Sequence, residues 1–128
     1  MLNLHSSTAR VIKQGQGWRL GWNPAAPKYK GLVGGENWAI ELTEAELNDF
    51  CRLVVQLSDT MRQVAAELMD EEAIACEVES DLLWLEAQGY PDHYGLQVIV
   101  LSDRQAEGVW SAAAVPELIQ AAQMLGVF

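Results

Sequence analysis

Apolar positions along the chain switch between two periods, and the switches mark strands and helices. The clearest stretch is helical. Leu47, Phe50, Val54, Leu57, Met61, Val64 and Leu68 recur at alternating spacings of three and four, with Cys51 beside them. Such spacing lines one face of a helix of about seven turns. Thr43-Glu44-Ala45-Glu46 reads as its capping box, the threonine oxygen accepting from an early amide while Glu46 reaches back. The end is expected among Asp70, Glu71 and Glu72, where acidic charge opposes the helix dipole. A stripe this long suits packing beyond its own half of the chain, across the molecule or onto a second copy in a homodimer.

Elsewhere the period falls to two. Trp18, Leu20 and Trp22 share one face of a strand, and Trp38 to Leu42 forms a short apolar run leading into the capping box. Ile74, Cys76 and Val78 alternate with Ala75, Glu77 and Glu79, and strands are expected at Leu82–Glu86, Leu96–Leu101 and Val109–Ser111. Gly34-Gly35-Glu36-Asn37 reads as a hairpin turn, and Ser102-Asp103-Arg104 as a polar turn. Pro116 fits the first turn of a second helix with Leu118, Ala121, Ala122 and Leu125 on its apolar side and Gly126 at its end.

The order of elements repeats. A shift of 64 lays Pro27-Lys28-Tyr29-Lys30-Gly31-Leu32 over Pro91-Asp92-His93-Tyr94-Gly95-Leu96 and Leu20 over Trp84. A shift of 71 lays Glu46-Leu47 over Glu117-Leu118 at the two helix starts. The expected fold is α+β: one domain over residues 1–128, made of two β4-α repeats at about 8–70 and 73–128, each helix covering the inner face of an antiparallel sheet.

Length and composition agree with a single domain, since 128 residues, half of them apolar, bury a sizeable core. No apolar run approaches the roughly 20 residues of a membrane helix. The opening Met1-Leu2-Asn3-Leu4-His5 lacks the basic and apolar segments of an export signal. Cys51 and Cys76 read as buried free thiols, so a reducing cytoplasm is the expected compartment. The net charge of −10 is unevenly spread: residues 1–42 carry five basic side chains against two acidic, and the remainder three against sixteen. The whole molecule therefore repels polyanions, while a local basic face can act within a Debye length.

Gly15-Gln16-Gly17-Trp18-Arg19-Leu20-Gly21-Trp22-Asn23-Pro24, Tyr29-Lys30-Gly31-Leu32-Val33-Gly34 and Trp38-Ala39-Ile40-Glu41-Leu42-Thr43 resemble a domain-of-unknown-function family of uncharacterised cyanobacterial proteins. The resemblance implies the fold of the Whirly-type and coactivator-type single-strand DNA binders, in which a four-stranded sheet followed by a helix occurs twice. The lysine-glycine-lysine motif of Whirly proteins has no counterpart at the comparable place. Lys28-Tyr29-Lys30-Gly31 is only loosely similar and lies in a later hairpin, so no DNA-contacting residue carries over.

Two surface sets are candidates for function. Arg10, Lys13, Arg19, Lys28 and Lys30, interleaved with Trp18, Trp22 and Tyr29, supply the cations and rings that single-stranded nucleic acid requires. Strand parity argues the other way for the tryptophans, which share the face of Leu20 and read as core. Glu77, Glu79 and Glu86, with Asp81 nearby, form an acidic set. A solvated sheet face is the plainer reading, and a surface for a basic protein partner is the functional one. Trp38, Trp84 and Trp110 read as core, and any of them found exposed would mark an interface. His5 lies in a terminus and His93 in a turn, with no nucleophile placed to use either. No cation-binding loop, zinc spacing or phosphate loop is present, so no metal, cofactor or catalysis is expected. A non-catalytic protein-interaction module ranks first, and single-stranded nucleic-acid binding through Arg10, Lys13, Arg19, Lys28, Tyr29 and Lys30 second.

Overall fold

A computed structural model describes residues 9–67 and 72–125. Four strands, β1 (Val11–Gly15), β2 (Trp18–Trp22), β3 (Gly31–Gly34) and β4 (Ala39–Leu42), form an antiparallel meander and lead into α1 (Glu44–Ala65). The pattern then recurs as β5 (Ile74–Glu79), β6 (Leu83–Tyr90), β7 (His93–Val100), β8 (Glu107–Trp110) and α2 (Val115–Leu125). The α+β fold with two β4-α repeats is thus the one the sequence predicts.

Local chemistry accounts for the boundaries. Gly17 turns β1 into β2 with φ +82°, a left-handed conformation that glycine adopts without strain. The capping box of α1 is complete: the Glu46 amide donates to Thr43 Oγ1 at 3.2 Å, and the Thr43 amide donates to Glu46 Oε1 at 2.8 Å. At the far end the helix stops at Ala65, short of the expected Asp70, with the Ala66 amide still bonding back to Gln63 and Val64. A stripe of apolar spacing continues past the last helical turn, and spacing alone does not say where a helix yields. Leu68, Asp70, Glu71 and Gly126 lie outside the described residues.

Inner faces of both sheets supply the core. Trp18, Leu20, Trp22, Val33 and Leu42 from the first sheet meet Leu83, Leu85, Leu96, Val98 and Trp110 from the second. The α1 stripe from Leu47 to Met61 is buried within the one chain. The helices pack on one another and across the repeats: α1 lies most extensively against β5 and β6, and α2 against β2. The expectation that each helix covers its own sheet is therefore incomplete, because each also closes the other repeat's sheet.

The internal alignment needs a correction. Leu20 pairs with Val33 on the inner face, whereas Trp84 pairs with Ile99 on the outer one. A shift of 64 thus superimposes opposite faces, as any one-residue slip in a strand must. The shift of 71 holds for the helices: the Leu47 amide bonds to the Thr43 carbonyl, and Leu118 to Ala114, as the first helical hydrogen bonds.

Candidate interaction surfaces

Strand register assigns every side chain of the second sheet to one face. On the outer face Glu79, Trp84, Ile99 and Glu107 form one cross-strand row, and Glu77, Glu86, Gln97 and Val109 the next. Trp84 is therefore not core, as expected from sequence, but half-buried at the centre of an outward face. Val109 beside it is 60% exposed. Glu77, Glu79 and Glu107 are exposed and Glu86 is half-buried, so four carboxylates surround three apolar side chains. No lysine or arginine lies among the strand residues of this face, and none of the four carboxylates has an ion-pair partner among the described residues. Glu77 stands directly opposite Glu86, a like-charge pair that costs stability.

The first sheet presents the opposite character. Its outer face carries Ile12, Gln14, Arg19, Gly21, Leu32, Gly34, Ala39 and Glu41. Arg10, Tyr29 and Lys30 border a depression of about 130 Å³ above Gly21. Part of this charge is already engaged. Lys30 Nζ donates to the Ala26 carbonyl, and the Lys28 ammonium sits 5.3 Å from the centre of the Tyr29 ring. Arg19 donates to the Trp38 carbonyl at 3.4 Å. Lys13 stands apart: it is opposite Leu20 and hence on the inner side of the edge strand β1, half-buried. Trp18 and Trp22 are buried, as parity predicts, so Tyr29 is left as the aromatic member of the set near the surface. Arg104, expected in a simple polar turn, covers Tyr29 with its guanidinium 4.7 Å from the ring centre and donates to Glu46 and to the Glu41 carbonyl.

Other tryptophans tie the halves together. Trp38 Nε1 donates to the Val109 carbonyl at 2.9 Å, and Trp110 Nε1 to the Gly34 carbonyl at 2.8 Å. Trp18 Nε1 donates to Glu117 at 3.2 Å. Glu46 and Glu117 occupy the same position in their helices, and each accepts from the opposite repeat, the one from Arg104 and the other from Trp18. Sequence spacing gave no sign of these partners, because they are far apart along the chain.

Cys51 is buried and Cys76 only half-buried, which corrects the expectation for the second. No group of three or more metal-ligating side chains is present among the described residues. Among them too, no helix is long and apolar enough to cross a membrane.

The profile of a domain of unknown function, DUF1818, matches residues 13–125. The chain belongs to the DUF1818 family. A crystal structure of a protein of unknown function from Prochlorococcus sp. NATL2A, ascribed to the DUF155 family, is similar in fold with a TM-score of 0.86 and 28% identity. The similarity covers 91% of this DUF1818 chain and 98% of that one. No curated protein matches it.

Proposed function

We propose that this DUF1818 chain is a non-catalytic interaction protein whose outer face on the second sheet receives a basic protein segment. The observation carrying this reading is the pair of cross-strand rows in which Trp84, Ile99 and Val109 are ringed by Glu77, Glu79, Glu86 and Glu107 with no cation among them. An aromatic side chain amid apolar neighbours supplies contact area, and uncompensated carboxylates at the rim select a partner of opposite charge. The unrelieved Glu77–Glu86 repulsion adds to the argument, since a partner's cation would remove a cost that the free protein bears.

Single-stranded nucleic acid at the first sheet is the second reading, supported by Arg10, Tyr29 and Lys30 around one depression. The two-repeat architecture agrees with the Whirly-type resemblance. The burial of Trp18 and Trp22 counts against it, for it removes the rings that would stack on bases. A lysine-rich peptide and a single-stranded oligonucleotide, each labelled and titrated by fluorescence anisotropy at low and physiological salt, separate the two. Salt-sensitive peptide binding that Trp84→Ala weakens, with no oligonucleotide binding, supports the first reading. Oligonucleotide binding that Lys28→Glu with Lys30→Glu abolishes, with no peptide binding, replaces it with the second.

A further inference from the structure

We infer that the basic segment docks by adding a strand to the open edge of β5, alternating apolar and cationic side chains. The inference rests on the acidic-face reading and names how that face is engaged. In the order β5-β6-β7-β8, β5 is an outer strand, and its six residues pair with β6 on one side only. Among the described residues no other backbone hydrogen bond reaches it.

Natural edge strands are shielded by a proline, a bulge, a charge pointing inward or charged side chains along the edge. β5 has no proline, bulge or inward charge; its charges are the outward Glu77 and Glu79, which repel a like-charged strand and favour a cationic one. Its register with β6 runs unbroken from Ile74 opposite Gly89 to Glu79 opposite Trp84, and Ile74-Ala75-Cys76-Glu77-Val78-Glu79 contains no proline. Its inward side chains, Ile74, Cys76 and Val78, are apolar and remain half-buried, whereas Leu83, Leu85 and Ala87 on the neighbouring strand are fully covered. A further strand beside β5 would complete their burial. Its outward residues would stand next to Glu77 and Glu79, which makes lysine or arginine the matching choice at those positions.

The same glutamates discriminate against a second copy pairing through its own β5. An antiparallel β5–β5 contact would bring carboxylates of the two chains together on one face, an arrangement that costs stability. The partner is accordingly an extended segment in which valine-like residues face the core and lysine or arginine faces out.

The test uses the full chain and a ten-residue peptide alternating valine and lysine, with three controls: the alternating valine–glutamate peptide, and two versions of the lysine peptide N-methylated at every second residue, one for each edge. Strand addition requires that the β5 amides gain hydrogen-exchange protection and that one of the two N-methylated peptides loses binding while the other keeps it. Glu77→Gln with Glu79→Gln should weaken the parent peptide about three- to tenfold and flatten its salt dependence. Peptide binding that N-methylation on either edge leaves unchanged, with no protection of β5, overturns strand addition and leaves the face as the docking site. Absence of binding to the lysine peptide, or equal binding of the glutamate peptide, overturns both. Sedimentation at matched concentrations shows whether copies of the chain occupy the edge instead, and self-association that the lysine peptide fails to compete away overturns the inference.

Discussion

Single side chains here do work that their sequence neighbourhood does not announce. Gly108 illustrates this: a Cβ on it would lie within 2.4–2.5 Å of the Trp38 ring, so the close approach of the two repeats requires a residue without a side chain. Cys51 carries a pH-dependent consequence. Burial pushes its thiol from the ordinary 9.0 up to about 12. The folded chain thus holds a proton that the unfolded chain releases between those values, and stability is unaffected by this group below pH 9 and falls as pH rises toward 12. Urea denaturation of the native chain and of Cys51→Ala across this range should show a shallower alkaline decline in the variant. A decline of equal slope in both would mean that the thiol contributes nothing to it.

At the scale of elements, parity was readable and register was not. The alternation Trp18-Leu20-Trp22 placed both tryptophans in the core correctly, because period two needs nothing beyond the strand itself. Trp84 was misplaced because membership of a strand beside a helix does not say which face a side chain takes, and the shift of 64, which lays Leu20 over it, matches opposite faces and offers no check. The neighbouring Leu85 is fully buried on the opposite face. Leu85→Ala should therefore cost about 2–5 kcal/mol, the usual range for deleting a buried leucine side chain. Trp84→Ala, at a half-exposed position facing outward, should cost less than half of what Leu85→Ala does. Chemical denaturation of the two variants decides it, and equal losses would return Trp84 to the core. The acidic set was legible as far as Glu77, Glu79 and Glu86. Glu107 joins it only through the pairing of β8 with β7, which no local pattern reveals.

For the molecule as a whole, the two repeats are interlocked rather than set side by side. α1 lies against β5 and β6, α2 lies against β2, and Arg104, Trp18, Trp38 and Trp110 each bond to the opposite repeat. Fragments cut between residues 72 and 73 would each expose the helix face and the sheet face that the other covers. A unit of about 60 residues has little burial to spare even when intact. Neither fragment alone should show cooperative unfolding or the near-ultraviolet signal of ordered tryptophans. Mixing them in equal amounts should restore that signal, because the rings at the junction regain their partners only in the complex. Arg104→Ala in the second fragment should weaken this reassociation, since it strips Glu46 of its ion pair while Glu46 stays buried beside the capping box. A first fragment that folds cooperatively on its own would show that cross-packing is dispensable, and would make the duplication a pair of independent units.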